Sequence, residues 1–75
     1  MTQIYATKAQ LAELTGRDWK TVHRRVKEMR DLIGKVYDAD RDFAGEEISI
    51  KAYLHHLNHV RPQLITGEPL TPFNP

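Results

Sequence analysis

Trp19, Val22, Val26, Met29 and Ile33 stand three or four residues apart. That spacing returns an apolar side chain to one face at every turn and predicts a helix of nearly four turns. A strand would scatter the same residues over both faces, because its side chains alternate. On a wheel of about 100° per residue, the opposite face centres on Arg24, with Lys20, Lys27, Glu28 and Asp31 around it. His23 and Arg30 fall nearer the apolar boundary. Gly34 is expected to stop this helix and Asp18 to cap its start, where a carboxylate also suits the positive end of the helix dipole. Just before it, Thr15-Gly16 ends an earlier helix, with the glycine free to take the left-handed C-cap conformation. Leu11 to Ile33 therefore reads as the end of one helix, a tight turn and a longer basic helix.

The flanking segments supply the rest of a small fold. Ile4 and Tyr5 suit a brief strand. Thr7 and Gln10 have the spacing of a capping box, so a first helix is expected from there to about Leu14, burying Ala9, Leu11, Ala12 and Leu14. Lys35-Val36-Tyr37 reads as a short strand, Asp38 to Glu46 as a polar loop, and Glu47 to Ile50 as a second strand by its alternation. The two strands would form a hairpin, or wing. A third helix is expected from about Lys51, capped by Ser49, with Tyr53, Leu54, Leu57 and Val60 at helical spacing and Pro62 ending it. Ile48, Ile50, Leu54 and Leu57 are expected beneath the apolar stripe of the second helix. The order is helix, turn, helix, wing, helix: a mostly α fold with a small β-hairpin. We divide the chain into a domain over 1–61 and a tail over 62–75, which holds all four prolines.

Composition narrows the function classes. The chain has 75 residues and no cysteine, which removes disulfides and thiolate zinc sites. It has no apolar run near the ~20 residues of a membrane span, and its start lacks the pattern of a signal peptide. The expectation is a cytoplasmic protein with no membrane partner. The net charge of +1 hides an asymmetry. Arg17 to Arg30 carries six basic residues against two acidic ones, and Asp38 to Glu47 carries five acids against Arg41. A local basic patch is the electrostatic footprint of nucleic-acid binding. Lys20, Thr21 and Arg24, in the first half of the basic helix, are the candidates for base edges. Arg17, Arg25 and Lys27 are the candidates for phosphates. The bland alternative is a solvated helix face, with Arg24 and Glu28 paired four residues apart. Trp19 begins the apolar stripe and is expected as a core anchor worth roughly 2–3 kcal/mol, with stacking on nucleic acid as the alternative.

Other chemistries find little support. His55 and His59 share a helix face, but position 56 is His where a zincin requires Glu, and no third ligand is evident. Asp38-Ala39-Asp40-Arg41-Asp42 begins like a calcium loop, yet Phe43 and Ser49 stand where that loop needs Gly and Glu. Ser49 is the only serine, and neither a nucleophile elbow nor a glycine-rich phosphate loop is present. No enzyme activity, cofactor or metal is expected.

The run Leu11-Ala12-Glu13-Leu14-Thr15-Gly16, followed by Asp18, Thr21 and Val22, resembles the start of the winged helix-turn-helix of the mercury-resistance-regulator (MerR) superfamily. The small excisionases of phages and mobile elements share that architecture, and the compact size here is more like theirs. The resemblance covers roughly residues 4 to 60. It implies a second helix in the major groove, a wing on the adjacent minor groove or backbone, several copies bound side by side on double-stranded DNA, DNA bending, and an integrase or recombinase as partner. A small transcriptional regulator on the same fold is the nearest alternative, and an adaptor using the acidic wing and the proline-rich tail is the alternative outside DNA binding. Phosphate would repel Asp38, Asp40 and Asp42 at a wing, which puts the weight of binding on the second helix.

Overall fold

The computed structural model describes residues 4–74. Its elements in chain order are β1 (Tyr5–Ala6), α1 (Lys8–Thr15), α2 (Trp19–Asp31), β2 (Phe43–Ala44), β3 (Glu47–Ser49), α3 (Ile50–His55), a π-helical stretch (His56–Val60) and α4 (Arg61–Thr66). The protein is thus mostly helical, with a three-stranded antiparallel sheet of order β1-β3-β2.

Local chemistry accounts for the first helix pair. Thr7 accepts the amide of Gln10, whose side chain accepts the amide of Thr7, so the capping box forms. Gly16 closes α1 at φ 65°, a conformation that a Cβ would strain. Leu11 is buried, and Ala12 packs against the core. Ala9 and Leu14 point away, Leu14 being 66% exposed. The wheel explains this. About 100° per residue puts Ala12 and Thr15 on one side of Leu11 and Leu14 on the other, and the core lies on the Ala12 side.

Val22, Val26 and Met29 form the buried face of α2. Trp19 does not join them and is 48% exposed. It has the right angle on the wheel but sits at the helix's free end, beyond the body. Asp18 occupies the N-cap position with extended backbone but makes no side-chain cap. The helix ends at Asp31, before Gly34, and Leu32 becomes buried where the spacing had pointed to Ile33.

The hairpin differs from the expected one in its strands and its tip. Lys35 to Tyr37 is a tight turn, not a strand: Lys35 and Val36 both donate to the Leu32 carbonyl, and Gly34 donates to the Tyr37 carbonyl. The strands are β2 and β3, in register Phe43↔Ile48 and Ala44↔Glu47, so the tip is only Gly45-Glu46. β1 adds on the other side of β3 through Tyr5↔Ser49 and Ala6↔Ile48. Ile48 is fully buried in the same core as Val22, Val26 and Met29, while Ile50 and Leu57 are partly buried against it. Leu54 is 44% exposed, so it does not join them.

Ser49 caps α3 through the Ala52 amide. Pro62 does not end the helix. The Arg61 amide reaches back to the His56 carbonyl, five residues away, in a π turn. Pro62 then falls in the first turn of α4, where the missing N–H costs little. Helix continues to Thr66, and Gly67 caps it at φ 75°. The following tail is irregular but docked. Gln63 exchanges two hydrogen bonds with Thr71, at 2.7 and 2.8 Å. Phe73 is buried beside Tyr37, and Leu70 packs on the core. Among the described residues no helix is long and apolar enough to cross a membrane.

Candidate nucleic-acid interface

Helical spacing places Lys20, Arg24 and Lys27 along the outward side of α2, and all three are exposed. Arg17 is exposed in the turn ahead of the helix, its amide bonded to the Ala12 carbonyl. Among the described residues, none of these four side chains has an intramolecular hydrogen bond or ion pair. Thr21 and Arg25 lie half-buried on the flanks, and the Arg25 Nε is buried with no partner among the described residues. Four of the six residues singled out from the sequence therefore share open surface, and two are turned toward the body.

Glu28, the acid in the middle of α2, is not paired with Arg24. It accepts from His56 Nε2 at 3.0 Å and from Arg61 Nη1 at 2.7 and 3.0 Å. Burial would raise its carboxyl, but the His56 hydrogen bond and the Arg61 charge outweigh that and hold it below its ordinary value. His56 is fully buried. Burial pushes its imidazole down, against the pull of Glu28, and Arg61 and Arg25 push it further in the same direction. A neutral imidazole donating from Nε2 fits the Glu28 carboxylate. The pair and Arg61 tie α2 to the π stretch and α4, and they remove the charge of Glu28 from the cationic face.

A second group of residues extends this face toward α1 and the hairpin. Trp19 and His23 stack at 5.0 Å with an interplanar angle of 10°. The Lys8 Nζ, from the first turn of α1, donates to His23 Nδ1 at 2.8 Å and lies 5.8 Å from the indole centroid. Arg30 lies over the Phe43 ring at 4.7 Å and donates to the Gly45 carbonyl at 3.3 Å, which fixes the hairpin beside the end of α2. Thr7, Lys8, Ala9, Trp19, Arg30 and Glu46 line a cleft of about 460 Å³. Lys8, His23, Val26, Lys27 and Arg30 line a smaller one of about 210 Å³. The Trp19–His23 contact was readable as a pair four residues apart. Lys8 was not, because its place depends on how α1 packs against α2.

The acidic segment lies elsewhere and is largely self-satisfied. Asp38 accepts the amides of Asp40 and Arg41, which hold its carboxyl below the ordinary value. Asp42 is fully buried; it accepts the Asp38 amide and binds Arg41 Nε at 2.9 Å and Nη2 at 3.0 Å. These aspartates belong to the connection before β2, and of the five acids of this segment only Glu46 occupies the hairpin tip. Asp38, Asp40 and Asp42 therefore lie outside the hairpin tip, where the exposed acid is Glu46. Among the described residues no group of three or more His, Asp or Glu could hold a metal ion. His55 Nδ1 is instead in hydrogen-bond contact with the Tyr37 hydroxyl at 3.1 Å. Comparison with family models, curated proteins and solved structures finds no match to this chain.

Proposed function

We propose that this chain is a small winged helix-turn-helix protein that binds double-stranded DNA, with α2 as the reading helix and the β2–β3 hairpin as the wing. One observation carries the reading: Arg17, Lys20, Arg24 and Lys27 stand exposed with no side-chain partner among the described residues, while Glu28, next to Lys27, is engaged by His56 and Arg61. Cations left unpaired in a row are free to replace the counterions of a phosphate backbone. The anchoring of the hairpin by Arg30 supports a wing that meets DNA together with α2. Lys20 and Arg24 read bases in this proposal, and Arg17 and Lys27 hold phosphates; the half-buried Thr21 and Arg25 meet the duplex only at the edges of the face.

The biological role we infer is that of an excisionase of a phage or other mobile element. Copies bind neighbouring sites, bend the DNA and recruit a recombinase, with no chemistry of their own. This rests on the resemblance of the Leu11–Val22 stretch, and a transcriptional regulator would use the same reading head. A gel shift with mixed-sequence duplex, repeated across a salt series, tests the DNA step. The expected result is binding that weakens steeply with salt; absence of binding at low salt overturns it. The gene neighbourhood tests the role: an adjacent integrase gene favours the excisionase, whose addition should raise that integrase's excision rate, whereas a regulator alone leaves the rate unchanged.

A further inference from the structure

Trp19 is the first residue of α2, directly before Lys20, and is the chain's single tryptophan. Its place on the apolar stripe favours burial, yet it is 48% exposed. It is also held in place. His23 stacks along it at 5.0 Å, and Lys8 bridges to that imidazole at 2.8 Å from a different helix. An indole held by two neighbours has already given up most of its rotamer freedom, so a ligand that meets it pays little further ordering entropy. Lys8 and Arg30 line the adjoining cleft and supply cations beside the ring.

We propose that Trp19 is a specificity-determining residue that reads a thymine through its C5-methyl group. The inference rests on the DNA-binding reading above. Base edges in the major groove present donors, acceptors and one apolar group, the thymine methyl. Lys20 and Arg24 match the acceptors of guanine. The indole offers mainly apolar surface on the same leading turns of α2, and the methyl is the only base-edge group that matches it. Lys8 and Arg30 then face phosphates next to that thymine. The preferred duplex has a thymine adjoining the guanines read by Lys20 and Arg24.

The experiment begins with selection from a pool of randomised duplexes. Each thymine of the tightest duplex is then replaced singly by deoxyuridine, which removes only the methyl. At one position the replacement should weaken the wild-type protein about fourfold, as expected for one buried methyl. Trp19→Ala should bind the thymine and deoxyuridine duplexes equally, and Trp19→Phe should restore part of the difference. Trp19 is exposed, so circular dichroism should show both variants folded. In parallel, the fluorescence of the single tryptophan should change on binding the thymine duplex and change less with the deoxyuridine duplex. A selected duplex with no deoxyuridine-sensitive position overturns the inference and leaves DNA binding standing. So does a sensitive position that persists in Trp19→Ala. Failure to enrich any duplex overturns DNA binding itself, and this inference with it.

Discussion

The basic face of α2 and the acidic connection before β2 look alike in the sequence, as two short runs of charge of opposite sign. In the fold they differ in kind. Asp38 and Asp42 are spent on the connection itself, on the amides of Asp38, Asp40 and Arg41 and on the Arg41 guanidinium. Arg17, Lys20, Arg24 and Lys27 are spent on nothing among the described residues. Charge density in a sequence thus does not indicate whether a surface is available, because the same formal charge serves either to hold a loop or to meet a partner. Glu28 repeats the distinction within one helix, its carboxylate held by His56 and Arg61 while Arg24, one turn away, is open.

The strongest way to break this comparison is to remove the buried acid. Asp42→Ala removes the carboxylate that accepts from Arg41 Nε and from the Asp38 amide. It should lower stability by about 3 kcal/mol, the low end for breaking a buried pair, because Arg41 is itself partly exposed and screened. Thermal unfolding followed by circular dichroism should show a drop in Tm of more than about 10 °C for a domain of this size. Asp40→Ala, an exposed change in the same run, should stay within about 0.5 kcal/mol. Equal effects of the two would show that the acidic run is a solvated surface like any other.

Glu28→Ala comes next, with an expected loss of about 2 kcal/mol, since it leaves the fully buried His56 Nε2 without its acceptor. The same network sets a pH dependence. His55 and His56 both have imidazoles pushed below their ordinary value of 6.5, first by burial. For such a group the unfolded chain binds more protons on the acid side, so its stabilisation is complete above pH 6.5 and is lost as the pH falls through the lowered value. Glu28 is held below its ordinary value of 4.5, and its contribution is present above that pH and is lost as the pH falls through the lowered one. Tm should therefore decline in two stages on acidification. Glu28→Ala should shrink the lower stage to the part that Asp38 supplies and shift the upper one, because His56 loses the carboxylate that favours its protonated form. An unchanged profile in the variant would place the acid sensitivity elsewhere.

What was legible in the sequence was what neighbours along the chain decide. The Thr7–Gln10 capping box, the left-handed Gly16, the Val22–Val26–Met29 face and the Ser49 cap all depend on contacts within about one turn. The misreadings depend on where an element ends relative to the body. Trp19 keeps the angle of the apolar stripe but projects past the core, and Leu14 is on the wrong side of Leu11. Pro62 is a stop signal only for α-helical hydrogen bonding, which the π turn replaces. The basic face of the candidate site was visible as composition. That Glu28 turns toward His56 and Arg61, more than one element away, was not, and neither was the arrival of Lys8 beside Trp19.

Arg24→Ala tests the other half of the comparison, on the DNA-binding reading. Stability should stay within about 0.5 kcal/mol, because the side chain is exposed and has no hydrogen bond or ion pair among the described residues. Affinity for the selected duplex should fall by about 1–2 kcal/mol, within the range for a lost bidentate base contact, and discrimination at one guanine should relax. A fall in Tm with unchanged affinity would mean that Arg24 belongs to the fold and that α2 faces the duplex by another side.

Lys27→Ala should have the smallest effect and separates positioning from reading. Lys27 lies one turn after His23 and lines the smaller cleft with Lys8 and Arg30. In the proposed pose it meets a phosphate, so its loss should weaken all duplexes alike and lower the slope of log affinity against log salt by about 1. Arg24→Ala should instead change the ranking of duplexes more than its single phosphate-equivalent of charge can explain. The two variants remove the same formal charge from the same face, and only their specificity profiles distinguish a base contact from a phosphate contact. Identical profiles would mean that α2 rests on the backbone without entering the groove, and that its cations act as a patch and not as a reading row.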